Sequence, residues 1–186
     1  MHWYKNLENI QVGNIEIYTP SLKYFIYKNP RILEENFKKN LDDYVQTLDG
    51  SFVLIRYLKN SKDIFIDQNS SLPFYYKLEK RKIIQIGFDL MNGNHSSSEI
   101  SNIAIFSIVF QRRLFSNMTF NKNIKKLCGK HKLKIYKDGN YELNAVNTIK
   151  KKKKQLNFKN IHHDLYKEFK NSLDFKGSKG LLLSGG

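Results

Sequence analysis

Apolar and polar residues alternate over residues 10–18, around Val12, Ile15 and Ile17, with the two-residue period of a half-buried strand or hairpin. Residues 22–27 form a second short apolar-aromatic run. Asn29-Pro30 then has the form of a helix start, with Asn as N-cap and Pro in the first turn. Behind it, Leu33, Phe37, Leu41, Tyr44, Val45 and Leu48 recur at helical spacing, and Asp49-Gly50 closes the helix.

A strand-rich block follows. Residues 51–58 are a nearly continuous β-prone run, the pattern of a buried strand. Residues 63–67, 73–78 and 82–88 complete the block, with polar turns at Asn60-Ser61 and Glu79-Lys80-Arg81. Short strands joined by tight polar turns predict antiparallel pairing. Ser96 with Glu99 three residues on forms a capping box before Ile100, Ile103, Ala104, Ile108 and Phe110, which predict a helix. Residues 131–136 and 141–146 flank Lys137-Asp138-Gly139-Asn140, a strong hairpin signal. The lysine run 150–154 predicts a solvated linker. Ile161, Leu165, Phe169 and Leu173 then space out another helix. Residues 180–183 make a short apolar strand that runs into Ser184-Gly185-Gly186.

Composition narrows the classes. Apolar residues make up 40% of the 186, enough for a packed core. No stretch approaches the roughly 20 apolar residues of a membrane helix, and no apolar run follows a basic head at the start. A membrane partner and a secretory signal are therefore not expected. The lone Cys128 has no partner for an internal disulfide and suits a reducing, cytoplasmic setting. Thirty-two Lys and Arg against 17 Asp and Glu give a net charge of +15, which raises nucleic acid as a partner. Most of these cations are scattered lysines, and few are arginines placed to grip phosphates bidentately. The charge is better explained by a general Lys, Asn and Ile richness, and nucleic acid is not the expected partner.

Three segments, the first of them in two parts, resemble the asparagine synthetase family in order. Leu48-Asp49-Gly50-Ser51-Phe52-Val53-Leu54 resembles the family's buried strand entered by Leu-X-Gly-X-Phe. Asp67-Gln68-Asn69-Ser70-Ser71-Leu72-Pro73-Phe74-Tyr75-Tyr76 resembles its Asp-X-X-Gly-X-X-Pro-Leu-Tyr-Tyr, with Ser70 in place of Gly. Thr119-Phe120, Ile124 and Leu127-Cys128-Gly129 resemble its Thr-X-Phe, Ile, Leu-X-Pro-Gly run, which precedes a hairpin. The helix around 162–173, the strand 180–183 and Ser184-Gly185-Gly186 are similar to the opening of the family's synthetase domain. There a Ser-Gly-Gly-X-Asp-Ser loop binds the pyrophosphate of ATP, because glycines let backbone N–H groups approach phosphate oxygens.

The resemblance implies an α+β fold: an N-terminal-nucleophile-hydrolase-like sandwich of antiparallel sheets with flanking helices, then the first helix and strand of an α/β nucleotide-binding domain. Residues 1–146 would be the glutaminase-like domain, 147–158 a Lys-rich linker and 159–186 the start of the synthetase domain. Ser184, Gly185 and Gly186 would begin the ATP loop, with Mg and ATP as the family's cofactors. Asp49 falls at or beside the acidic residue that holds the glutamine amino group, and is the substrate-binding candidate.

The family's glutaminase needs a cysteine after the initiator Met, with its free α-amino group as base. This chain has His2 there, and before Asp49 has no Asn-Gly pair for an oxyanion hole. No residue is assigned a catalytic or metal-ligating role. Tyr75, with Asp67 and Pro73, is expected to hold a structural corner, and residues from Lys150 onward are expected to pack poorly on the first domain.

The expected protein is thus a fragment or relic of a glutamine-hydrolysing-type asparagine synthase, inactive alone and partnered by a synthetase domain or by copies of itself. A scaffold domain of a cysteine-lacking synthetase that closes rings in small molecules or peptides is the alternative. A basic RNA-binding or interaction module is a third reading, from a different class.

Overall fold

Strands dominate, and the hairpins set their order. The computed structural model describes residues 6–33, 41–90, 99–129 and 131–146, together with 163, 165–167 and 170. Ser184, Gly185 and Gly186, the lysine run 150–154, the strand 180–183 and Ser96 lie outside the described residues. Residues 163, 165–167 and 170 are helical, while Ile161, Phe169 and Leu173 of the expected helix lie outside the described residues.

Glu8–Val12 (β1) and Ile15–Thr19 (β2) pair antiparallel across Gly13-Asn14. Val53–Tyr57 (β3) lies beside β2, Ser61–Ile66 (β4) beside β3, and the hairpin His131–Tyr136 (β8) and Tyr141–Ala145 (β9) completes a six-stranded sheet. Tyr75–Glu79 (β5), Lys82–Gly87 (β6) and Ile124–Lys126 (β7) form a second, three-stranded sheet in the order β6-β5-β7. Every pairing in both sheets is antiparallel. The protein is a mixed α+β fold built mainly on antiparallel sheets.

Side-chain alternation gives the large sheet two apolar faces. On one face Ile15, Ile17, Leu54 and Phe65 pack with Phe25, Ile32, Leu41 and Val45 from the helical segments. On the other, Val53, Ile55, Ile64 and Ile66 pack with Phe74, Tyr76 and Ile83 of the small sheet and its approach. Burying each such side chain contributes about 1.5–3 kcal/mol before entropy is counted. The layers are helices, large sheet, small sheet.

The helices differ from the sequence expectation. Leu22–Lys28 is a helix (α1), capped by Ser21, whose Oγ accepts from the Tyr24 N–H at 3.3 Å. Asn29 closes α1 rather than opening a new helix, because its N–H reaches back to the Phe25 and Ile26 carbonyls. A 3-10 turn at Pro30–Leu33, a short helix at Leu41–Tyr44 (α2) and a second 3-10 turn at Val45–Thr47 follow in place of one described continuous helix. Asn102–Gln111 (α3) starts at Ser101, not at a Ser96 capping box: Ser101 Oγ accepts from the Ala104 N–H at 3.3 Å. Only Ala104 and Ser107 of α3 are buried, so Ile103, Phe106, Val109 and Phe110 face outward.

The chain passes between the sheets twice. It leaves β4 through residues 67–74 and returns through Leu127-Cys128-Gly129, and the two crossings touch. A Cβ at Gly129 would lie 2.2 Å from the Gln68 carbonyl oxygen, so only glycine fits there. The Gly129 N–H donates to Ser70 Oγ at 2.5 Å, tying the crossings together.

Candidate functional site

Asp49 sits in the short segment that leads into β3. The side chain of Asn29 holds this segment by its backbone: Asn29 Nδ2 donates to the Asp49 carbonyl at 2.8 Å, and the Asp49 N–H donates to Asn29 Oδ1 at 2.9 Å. Asn29 is 5% exposed, whereas Asp49 is exposed. The neighbouring crossing is rigid for a similar reason. The Asp67 carboxylate accepts from the Asn69 N–H at 3.0 Å, the Ser71 N–H at 3.1 Å and the Ser71 hydroxyl at 2.9 Å. Asp67 therefore organises a corner, and Leu72, Phe74 and Tyr76 enter the core behind it. Tyr75, the aromatic expected to anchor this corner, is only half-buried. The strand parity sends Phe74 (1% exposed) and Tyr76 (2%) inward instead.

The other residues singled out in the sequence also serve structure. The Thr119 hydroxyl lies 2.8 Å from the Asn121 carbonyl oxygen and 2.7 Å from that of Ile124, and accepts the Asn121 N–H at 3.1 Å. It thereby fixes the turn into β7. Cys128 Sγ meets the Lys126 carbonyl at 3.9 Å, and His131 Nδ1 contacts the Gly129 carbonyl at 3.2 Å. Both side chains direct a polar atom at backbone rather than at each other. Among the described residues no group of three or more His, Cys, Asp or Glu is placed to hold a metal ion. No helix among them is long and apolar enough to cross a membrane. His163 is exposed on its helix, and His162 lies outside the described residues.

Two features escaped the sequence reading. The first is a charge cluster on the helical face of the large sheet. Arg56 and Asp63 are direct cross-strand partners on β3 and β4 and form an ion pair, with Asp63 almost wholly buried. Asp42 of α2 accepts from Arg56 Nη2 at 3.1 Å and pairs with Lys132 of β8. Arg56 and Lys132 also stand over the Phe65 ring, at 6.0 and 5.8 Å from its centre. Two cations and two anions cancel, and the cluster staples α2 to three neighbouring strands. Asp63 Oδ1 and Arg56 Nε make no hydrogen bond.

The second is a cleft of about 530 Å³ at the far end of β3 from Asp49. It lies between the β3–β4 turn, β6 and the β8–β9 turn, and has Tyr57, Lys62, Lys82 and Lys137 at its rim. Behind Tyr57, the Glu16 carboxylate accepts from the Tyr18 hydroxyl at 2.7 Å and the Tyr57 hydroxyl at 2.9 Å. Burial first, then the hydrogen bond to Glu16, pushes both phenols above the ordinary tyrosine range, Tyr18 the further of the two. Arg56 within an otherwise apolar strand was the visible sign of the first feature. The second had none, because three separate turns build it.

No family model matches the chain, and a search of curated proteins finds no match either.

Proposed function

We propose that the described domain is the non-hydrolytic, structural N-terminal half of an asparagine-synthetase-like, ATP-dependent amide-forming ligase, on a sandwich of the N-terminal-nucleophile-hydrolase type. One observation carries the reading. The segments that resemble the family are the ones that join the layers: Leu48 to Phe52 leads into β3, residues 67–76 cross to the second sheet, and Leu127-Cys128-Gly129 crosses back. In this reading Asp49 is the remnant of a substrate contact, and Ser184, Gly185 and Gly186 begin the loop that would hold ATP with Mg. The apolar outer side of α3 supports a scaffold role, as in the ring-closing relatives, because a companion synthetase domain would cover it.

The test is incubation of the full chain with glutamine, following released ammonia. None above background is expected. Release abolished in Cys128→Ala would make that thiol a nucleophile and overturn the proposal. Release that survives in Cys128→Ala would overturn it by pointing to a nucleophile elsewhere. Titration with Mg-ATP is expected to show no saturable micromolar binding by the chain alone.

A further inference from the structure

The cleft at the far end of β3 is built in an unusual way. In the β5–β6 pairing, Leu78 faces Ile83 and Lys77 faces Gln85, so Ile84 is the extra residue of a β-bulge. The bulge turns Ile84 outward, where it is 53% exposed at the cleft wall. The β8–β9 turn closes the other side. Gly139, at φ +84°, presses against β6 so tightly that a Cβ there would lie 3.1 Å from the Ile83 carbonyl oxygen. The Gly139 carbonyl accepts the Ile83 N–H at 2.8 Å. Bulge and hairpin together block the edge of β6 against a pairing strand, which favours a compact occupant over an extended peptide.

The charges are unbalanced. Lys62, Lys82 and Lys137 line the cleft against one acid, Asp138, whose two oxygens already accept from Asn140. Lys62 lies on the inner face of β4, two residues before the buried Ile64, and is half-buried with no acidic partner among the described residues. An ammonium withdrawn from water without a counter-charge is costly, and an incoming anion relieves that cost. Ile83 and Ile135, both core residues, and Ile86 supply an apolar floor. The volume is within the ordinary range of small-molecule pockets, roughly 300–1,000 Å³.

We propose that this cleft binds a small carboxylate with an apolar body, its head on the amines of Lys62, Lys82 and Lys137 and its body on Ile83, Ile86 and Ile135. The site is independent of Asp49 and of the proposed ligase ancestry, and would stand if that reading failed.

Octanoate is the probe, titrated into the isotopically labelled full chain and followed by amide chemical shifts. Saturable shifts are expected at Tyr57, Ile83 and Gly139, with octanamide at least tenfold weaker. Lys62→Met should weaken octanoate at least tenfold without lowering the melting temperature. Ile84→Asp, on the exposed bulge, should do the same by adding a like charge to the ligand's. Equal affinity for octanoate and octanamide would overturn the proposal, as would shifts confined to α3 or unsaturated at millimolar octanoate. Displacement of octanoate by an equal concentration of inorganic phosphate would remove the apolar part of the claim and overturn it too.

Discussion

The carboxamide of Asn29 hydrogen-bonds the backbone of Asp49 in both directions, across 20 positions of sequence. It imitates a strand neighbour for this segment, and a third bond, from Nδ2 to the Phe25 carbonyl at 2.9 Å, locks it to the end of α1. Asn29→Ala would take both bonds from the Asp49 backbone near the buried end of α1. A buried backbone group that loses its partner costs about 1–3 kcal/mol, reduced where water reaches it. We expect a loss of roughly 2 kcal/mol in urea unfolding, from the same principle. Asn29→Asp keeps the acceptor and loses the donors, so it should fall between. An unchanged unfolding midpoint in Asn29→Ala would show that the bridge contributes nothing.

Arg56 and Asp63 meet inside the helical face of the sheet, where Asp63 is 2% exposed. Removing one partner of a buried pair costs about 3–5 kcal/mol, since the other charge stays behind. Asp63→Ala should lie at the low end, because Arg56 keeps Asp42. The double change Arg56→Met with Asp63→Leu should recover most of the loss, for Asp42 and Lys132 still neutralise one another. Denaturant midpoints of the three variants decide this. A double variant as unstable as Asp63→Ala would mean that the pair stabilises the sheet beyond cancelling its own desolvation.

Much of this architecture was legible in the sequence, and the misses share a cause. The β8–β9 hairpin was visible because Asp138-Gly139 sits between two alternating runs, and both the turn and the runs are local. β3 and β4 were visible as apolar runs. α1 was not, because seven residues, Leu-Lys-Tyr-Phe-Ile-Tyr-Lys, cover barely two turns and suit a strand as well. Asn29 was misplaced because its partner lies at Asp49. β7, three residues long, carries too little pattern to register. The charge cluster and the cleft depend on strand register and on contact between distant turns, and neither is encoded in a single window. Of the candidate residues, Asp49 lies exposed in the segment that leads into β3, while Ser184, Gly185 and Gly186 lie outside the described residues.

Burial lowers the pKa of Lys62 below its ordinary 10.5. Well below that lowered value the amine is protonated in both folded and unfolded chains, and the folded state bears the full desolvation cost. As pH rises through the lowered pKa toward 10.5, the folded chain gives up the proton first, while the unfolded chain still holds it. The unfolded state then binds more protons, so this residue's contribution to stability rises with pH across that window. Lys62→Met should accordingly unfold at a higher denaturant concentration than the parent at neutral pH, with the gap narrowing as pH approaches 10.5. A gap independent of pH would assign the effect to packing rather than to charge.

α3 presents Ile103, Phe106, Val109 and Phe110 to the outside at 65, 58, 65 and 68% exposure, with the two phenyl rings 4.3 Å apart. The helix itself is secured by Ser101 at its start and by Arg112 in a left-handed conformation at its end, so it needs little from this face to hold its shape. Replacing Phe106 and Phe110 together by Ser should therefore leave stability within about 0.5 kcal/mol per site, the usual range for surface changes. The same substitutions remove the largest part of an apolar patch that water solvates poorly, and such patches drive association. Sedimentation velocity at rising concentration should show the parent chain associating and the double variant staying monomeric. A double variant that sediments like the parent but unfolds much earlier would place these rings against the rest of the molecule, and the face would not be an interaction surface.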